Sequence, residues 1–198
     1  MNADLLLALL AFAFVTSITP GPNNIMLMTS GANFGFRRTI PHMAGVALGF
    51  VFLASAVGLG LAGLFDAWPA SYAVLKAVSV GYLLWLAWKI ANATPPEGRA
   101  ATGRPMTFLQ AAAFQWVNPK AWAMALTAVT AYAPGHGPAA VLTVAVVFGA
   151  VNLPSVGTWV VAGQAMRRLL DTPGRLRAFN WMMAVLLVAS ALPVVLAG

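Results

Sequence analysis

The sequence predicts an all-α integral membrane protein whose six transmembrane helices form two inverted three-helix repeats, with the first and fourth helices broken. The chain of 198 residues is 61% hydrophobic and 8% charged, with a mean hydropathy of +0.83, which leaves too little polar surface for a water-soluble globule. Six apolar runs each approach or exceed the roughly 20 residues that cross a bilayer. Two of these runs are broken at matching places, near Pro20 and Pro119.

The first half, residues 1–91, is predicted to form one three-helix repeat. The first apolar run lacks the basic region of a cleaved signal peptide, so we interpret it as a retained helix. Glycines and arginines then predict a loop before the second run. The predicted elements are a first span over 5–28, a loop over 30–39, a second span over 41–64 and a third span over 72–90.

Residues 92–105 are rich in proline and charge and predict a cytoplasmic linker between the repeats. The second half, residues 106–198, is predicted to form the second three-helix repeat, and the two halves together make one membrane domain. Its spans are predicted over 106–132, 138–165 and 179–196, with interruptions at Asn118-Pro119-Lys120 in the fourth span and at Asn152-Leu153-Pro154 in the fifth.

The distribution of lysine and arginine predicts the orientation, because short cytoplasmic loops hold the excess of these residues. Lys76 alone falls on one side of the predicted topology, and Lys120 lies within a span. The opposite side carries Arg37, Arg38, Lys89, Arg99, Arg104, Arg167, Arg168, Arg175 and Arg177. We therefore expect a multi-pass membrane protein with both termini outside, and this asymmetry explains the pI near 10.9 without a nucleic-acid partner.

Composition also excludes several kinds of chemistry. The chain contains no cysteine, which removes disulfides, thiol catalysis and thiolate metal sites. His42 and His136 are far apart and have no matching ligands, so no metal site or cofactor is expected. No nucleophile, acid pair or metal cluster of an intramembrane hydrolase is present, and we predict that the protein is not an enzyme.

The two breaks carry the candidate site. A half-helix that begins at Pro22 would point unpaired N–H groups into the membrane centre, and Asn118 before Pro119 predicts a second capped helix start. Lys120 adds a full charge that is costly in lipid and should therefore face a cavity or a partner. These features favour an anionic group such as a carboxylate.

The outer half-helix ends near Thr16 to Thr19, and its carbonyl groups would suit an ammonium group. A solute with a carboxylate and an ammonium is an amino acid. Simple helix kinks, and packing hydrogen bonds made by the amides, are the alternatives. The candidate substrate-binding residues are Thr16, Thr19, Pro20, Gly21, Pro22, Asn23, Asn24, Gln115, Asn118, Pro119, Lys120 and Asn152.

These motifs, in this order, resemble the LysE/RhtB family of bacterial amino-acid exporters, and the resemblance covers essentially the whole chain. It implies a small inner-membrane exporter of amino acids or their derivatives, driven by the proton gradient. The motifs that carry it are Pro20-Gly21-Pro22-Asn23-Asn24, the run over 30–39, Pro41-His42 with Gly45 and Gly49, and the run over 115–122.

One departure concerns the driving force. Many relatives have aspartate directly after the Pro-Gly-Pro sequence, whereas this chain has Asn23. The only acidic residues lie at chain ends or in predicted loops. Proton coupling would then require a peripheral acid such as Asp4, or His42, which can titrate near neutral pH. Deprotonation of Lys120 or of the substrate itself is a further possibility. Without any of these groups, the protein would be a uniporter.

Two functional alternatives stay open at this stage. The protein could be a non-transporting membrane scaffold, or it could export a different small solute or a cation. The glycine pair Gly45 and Gly49 permits close helix approach, which we interpret first as packing within the chain and second as a homodimer face. Besides a small-molecule substrate and protons, membrane lipid is the expected partner.

Overall fold

The computed structural model describes residues 1–61, 63, 67–68, 70–93, 104–133, 135, 137–167, 169–170, 172–190 and 192, and over this part of the chain the regular structure is helical. The helices are α1 (Ala3–Ile18), α2 (Pro22–Phe34), α3 (Phe36–Ala56), α4 (Ala70–Ala91), α5 (Phe108–Phe114), α6 (Pro119–Tyr132), α7 (Pro138–Met166) and α8 (Pro173–Ala189). A π-turn, Val57–Leu61, extends α3, and a 3-10 turn, Gln115–Val117, follows α5.

Within the part of the chain that the structure describes, three helical segments are long and apolar enough to cross a membrane: Phe36–Leu61, Ala70–Ala91 and Pro138–Met166. The α1–α2 pair passes the same test as a unit and is bent by 58° at its break. The all-helical class with several membrane spans is therefore confirmed. The arrangement as six helices in two inverted repeats, with boundaries at 91 and 106, stays a prediction.

The predicted loop over 30–39 is wrong. Helix α2 continues to Phe34 and α3 begins at Phe36, so only Gly35 separates them. Gly35 has φ 80°, a conformation that costs glycine little and other residues more. Gly31, which had indicated a loop, lies inside α2 because its missing side chain allows close packing.

The predicted interruption of the fifth span is also wrong, because α7 runs without a break through Pro154. A proline inside a helix removes one backbone hydrogen bond and crowds the preceding turn. Here its ring lies on the exposed face of the helix, and the Ser155 hydroxyl donates to the Val151 carbonyl at 2.7 Å. The opposite face is packed along its length, which holds the helix together across the proline.

The remaining spans agree with the sequence more closely. Helix α4 contains the predicted third span, and the fourth span is broken at Asn118 as expected. Helix α8 starts at Pro173, capped by Thr172, so the predicted start at 179 is wrong. Most of the linker, 94–103, and the chain end, 193–198, lie outside the described residues, as do Asp66, Glu97, Arg99, His136, Arg168 and Asp171.

Helix α7 is central to the bundle and packs against α1, α2, α3 and α6. Glycines make its contact with α2 close: a Cβ atom on Gly31 would overlap the Val160 carbonyl, and one on Gly163 would overlap the Met28 carbonyl. Gly45 and Gly49 serve the same purpose between α3 and α5. Their role in packing within the chain is therefore confirmed, while the homodimer stays a prediction.

The buried apolar residues form two main clusters. One joins α1, α3, α6 and α7 and contains Phe50 and Phe148, whose ring centroids are 4.4 Å apart. The other joins α2, α4, α5 and α8 around Leu83 and Phe114. The two halves of each broken helix thus belong to different clusters, and the breaks lie where the clusters meet.

Substituting Gly163 with alanine should destabilise the protein, because the added Cβ would overlap backbone atoms of α2 that cannot move aside. We expect a cost of about 1–3 kcal/mol, typical of overpacking. Gly81→Ala in α4 is the matched control, since nothing lies within 4 Å of its added Cβ; it should be neutral or stabilising by up to about 1 kcal/mol. Apparent Tm values in detergent would test this, and equal values for the two variants would contradict it.

Candidate functional site

The break between α1 and α2 leaves the carbonyl groups at the end of α1 without helical partners, and side chains from three other helices bind them. The Asn24 amide of α2 donates to Ser17 O at 2.8 Å and to Thr19 O at 2.7 Å. The Trp159 indole of α7 donates to Ile18 O at 3.1 Å. Lys120 of α6 also reaches Thr19 O. The break is therefore stabilised by tertiary contacts.

Lys120 is held by oxygens of the first break. Its Nζ lies 2.7 Å from Thr19 O, 3.0 Å from Thr19 Oγ1 and 3.4 Å from Pro20 O. A cation at this place is favourable because the carbonyl end of a helix carries a partial negative charge. Gly21 makes room for the side chain, since a Cβ there would lie 2.7 Å from Lys120 Cδ. The two breaks thus meet through Lys120.

The second break has the predicted capped start. Asn118 has an extended backbone, and its Oδ1 accepts a hydrogen bond from the Lys120 backbone N–H at 3.2 Å. Pro119 occupies the first helical position of α6, as Pro22 does in α2. No described side chain caps the start of α2, so the free backbone N–H groups of its first turn have no side-chain acceptor.

A reciprocal amide pair also joins the two breaks. Asn23 Nδ2 donates to Gln115 Oε1 at 2.8 Å, and Gln115 Nε2 donates back to Asn23 Oδ1 at 3.2 Å. Gln115 is fully buried and gives its second N–H to Ala111 O at 2.9 Å. This pair therefore ties the start of α2 to the end of the first half of the fourth span.

A third polar surface comes from α7. Asn152 Nδ2 donates to Ser17 Oγ at 3.0 Å, while the buried Asn152 Oδ1 accepts no hydrogen bond from the described residues. An unpaired buried acceptor is costly. Asn152 therefore offers an acceptor to a donor that enters the site.

A small cavity lies between these groups. About 20 Å³ is available to the centres of water molecules, which is room for roughly one water and too little for an amino acid. The lining residues are Thr16, Ser17, Gly21, Asn23, Asn24, Val46, Phe50, Gln115, Asn118, Lys120, Ala121, Met124, Asn152 and Val156. The site is polar on the sides of α1 and the two breaks and apolar toward α3.

Comparison with known proteins decides the family. The model of the LysE type translocator matches residues 14–198. The chain belongs to this family. LysE type translocators are transporters, so the protein is a membrane transporter and not an enzyme, as predicted, and the resemblance to the LysE/RhtB family is confirmed. No solved structure matches the chain.

Several curated relatives of this LysE type translocator have names that also state what they export. A cysteine/O-acetylserine efflux protein of Klebsiella pneumoniae is 31% identical over 98% of this chain and 99% of its own length. Proteins with the same name from Escherichia coli K12 and Shigella sonnei are each 33% identical over 96% of the chain and 97% of their own length.

The structure of this translocator brings most of the predicted site residues together. Eight of the predicted residues line the cavity, namely Thr16, Gly21, Asn23, Asn24, Gln115, Asn118, Lys120 and Asn152. Thr19 and Pro20 contribute oxygens to Lys120, and Pro22 and Pro119 start the two helices. Asp4 is exposed in the first turn of α1, and His42 is buried against a different cavity.

The sequence did not predict Ser17, Trp159 or the apolar residues of the cavity lining, which include Val46, Phe50 and Val156. Ser17 had a usable signal, since it lies in the last turn of α1 beside Thr16. Trp159 and the apolar residues had none, because only tertiary packing brings them to the break. Among the described residues, no group of three histidine, cysteine or acidic side chains could hold a metal ion.

Replacing Asn24 with leucine should destabilise the protein by about 1–3 kcal/mol, the cost of leaving a buried carbonyl unpaired. Asn152→Leu is the matched control in the same cavity, because it loses one side-chain hydrogen bond but also removes an unpaired acceptor, and its change should be smaller. Apparent Tm in detergent measures both. A smaller loss for Asn24→Leu than for Asn152→Leu would show that the amide does not stabilise the break.

Proposed function

We propose that this translocator is a secondary active exporter of small amino acids or their derivatives across the bacterial inner membrane. The observation that carries the proposal is the meeting of two broken helices at one polar cavity. Paired broken helices are typical of transporter binding sites. The names of the relatives, which describe efflux of cysteine and O-acetylserine, favour small polar amino acids as the substrates of this chain.

Lys120 suggests how the substrate binds. In the closed arrangement its ammonium occupies the carbonyl end of α1, where Thr19 and Pro20 supply three oxygens. We propose that the substrate ammonium takes this place and that the displaced Lys120 ammonium pairs with the substrate carboxylate. The exchange keeps the carbonyl end of α1 occupied by a cation and gives the buried carboxylate a charged partner.

The remaining polar groups complete this binding mode. The uncapped N–H groups at the start of α2 favour a carboxylate at the same end as Lys120. The free Asn152 Oδ1 and the Thr16 hydroxyl oxygen, whose proton goes to Phe12 O at 2.6 Å, would accept from the ammonium or from a polar side chain. Val46, Phe50 and Val156 leave room for a short side chain only.

Substrate entry requires the cavity to enlarge. The contacts that hold it closed are the Asn23–Gln115 pair and the bond between Lys120 and Thr19, and both cross from the first half of the chain to the second. We propose that the two halves move relative to each other as inverted repeats. This movement would break these contacts and open the cavity first to one side of the membrane and then to the other. Each of the two main apolar clusters joins helices of both halves, so this movement would change the packing within both clusters.

For the driving force we propose the proton gradient. A proton that crosses 100 mV supplies about 2.3 kcal/mol, which would sustain a substantial solute gradient. Of the two predicted coupling residues, Asp4 lies about 18 Å from Thr16 along α1, taking 1.5 Å per residue, while His42 is buried within the bundle. Neither residue lines the central cavity, so Lys120, which does, or the substrate itself is the better candidate for proton coupling. The proposed orientation has both termini outside.

The alternatives predict different results. A non-transporting scaffold would neither move nor bind amino acids. An exporter of a cation would bind its solute at the α1 carbonyl end without a carboxylate, so amines would compete with amino acids. The three oxygens around Lys120 Nζ suit any ammonium, and the amine test therefore belongs in the first experiment.

Lys120→Ala should abolish transport while the protein still folds, because the substrate carboxylate loses its charged partner. We expect at least about a hundredfold loss of uptake, in line with a cost of 3–5 kcal/mol for an unpaired buried charge. Inverted membrane vesicles that carry the protein, a pH gradient and labelled cysteine, O-acetylserine, serine or threonine provide the measurement. Lys76→Ala in α4, away from the cavity, is the matched control and should transport normally.

Collapse of the pH gradient should stop accumulation in the same vesicles. Absence of transport across a broad amino-acid panel would overturn the exporter, and full activity of Lys120→Ala would show that the lysine is only structural. Inhibition by simple amines as strong as that by amino acids would favour the cation exporter.

A further inference from the structure

A second cavity lies beside the C-terminal half of α2 and is much larger than the central one. About 300 Å³ is available to the centres of water molecules, which is within the range of small-molecule sites. It is enclosed by α2, α3, α4 and the segment 104–106, and we call it the inner chamber. Ser30 lies six residues beyond Asn24 on α2, about 9 Å further along at 1.5 Å per residue.

The wall of the inner chamber contains an unpaired histidine. His42 is 2% exposed, and neither ring nitrogen has a hydrogen-bond partner among the described residues. A buried imidazole without partners costs free energy. A neutral imidazole has one donor and one acceptor, and a polar group in the chamber can supply the missing partner after a small side-chain rearrangement.

Further polar groups on α2 face the inner chamber with acceptor capacity. Thr39 Oγ1 donates to Gly35 O at 2.9 Å, so Ser30 is the donor in its 2.8 Å bond to Thr39 and keeps its own lone pairs available. Asn33 Nδ2 donates to Thr29 O at 2.8 Å and Asn180 Oδ1 at 3.1 Å, which fixes the amide and leaves Oδ1 as an acceptor. These oxygens suit an ammonium group.

The mouth of the inner chamber is cationic. Lys89 and Arg104 line it and are both exposed, and no acidic side chain is among its described lining residues. Lys89 Nζ also lies 4.6 Å from the centroid of the Trp85 ring. Two cations at the mouth attract a carboxylate, while the acceptors and His42 lie deeper. The remaining wall, including Met26 and Leu86, is apolar.

We propose that the inner chamber is an entry site that binds the amino acid before it reaches the central cavity. Arg104 and Lys89 bind the carboxylate, Ser30 and Asn33 accept from the ammonium, and His42 pairs with a polar side chain. A hydroxyl, thiol or ester of a short side chain fits the imidazole, whereas a purely apolar side chain leaves it unpaired. This inference rests on the proposed export function and on its orientation, which places the chamber on the cytoplasmic side.

Transport kinetics in inverted vesicles test the entry site, because these vesicles expose the chamber to the medium. His42→Leu removes both polar atoms and should raise the KM for labelled O-acetylserine about five- to tenfold, the effect of one or two lost hydrogen bonds. The maximal rate should change less than about twofold, because the central site is intact. The Tm should not fall, since an unpaired polar group has been removed.

Two further variants sharpen the kinetic test. Arg104→Gln should raise KM in the same direction, and His42→Gln, which keeps a donor and an acceptor, should restore most of the affinity. Arg37→Gln is the matched control, an exposed arginine on the same side that does not line the chamber. If wild-type protein transports O-acetylserine and His42→Leu has an unchanged KM, the entry site is overturned while the exporter stands.

Labelling of a single cysteine tests occupancy without transport, because the chain has no cysteine of its own. Ile90→Cys places a thiol on the apolar wall of the chamber. O-acetylserine should slow its reaction with a membrane-impermeant maleimide added from the cytoplasmic side. Ile40→Cys, on an exposed position of α3 outside the chamber, should not be protected. Equal protection of the two thiols, or of neither, would overturn the inference.

If wild-type protein moves no amino acid in the panel, the exporter fails and the entry site fails with it. If transport occurs but O-acetylserine protects only a thiol in the central cavity, such as Asn152→Cys, only the entry site is overturned. These two results are distinguishable because the first concerns the wild-type protein and the second concerns the position that the substrate protects.

Discussion

The backbone carbonyl groups at the end of α1 are the constraint on which the rest of the structure depends. In a membrane, each freed carbonyl needs a partner from the protein or from enclosed water. The partners are Asn24, Trp159 and Lys120, which come from α2, α7 and α6. A break in one helix therefore fixes the positions of three others. The cost of the break is offset only when the bundle is assembled around it.

The carbonyl groups at the end of α1 and their partners also form the candidate substrate site. The stability of the fold and the proposed transport therefore depend on the same hydrogen bonds. Lys120 illustrates this most directly, because its ammonium stabilises the closed break and, in the proposed binding mode, pairs with the substrate carboxylate. A substrate that carries both charges can replace each contact that it breaks. The Asn23–Gln115 pair lacks such a replacement, which makes its separation the part of opening that substrate binding must offset.

Close packing around α7 determines where space remains. Glycines bring α2 against α7 and α3 against α5 at van der Waals distance, and the central cavity between these contacts holds roughly one water. On the other side of α2, no comparable set of glycines among the described residues brings α4 close, and the inner chamber lies in that region. One helix thus borders both a closed polar site and an open cationic one. Movement of α2 relative to α4 would connect them.

The sequence by itself determined the membrane class, the two breaks, the proline at the start of the helix after each break and the Asn118 cap, because these depend on composition and on residues next to each other in the chain. Asn118, Pro119 and Pro22 have the roles that their local order predicts. The sequence wrongly predicted a ten-residue loop around Gly35 and a helix break at Pro154. Local signals do not show whether a glycine packs against a neighbouring helix or whether a proline faces outward. Tertiary structure alone decided that Lys120 contacts Thr19, 101 residues away in the chain, and that Trp159 binds the end of α1. It also decided that His42 lies beside a chamber with no hydrogen-bond partner among the described residues. Each of these depends on how helices pack, and that information is distributed over the whole chain.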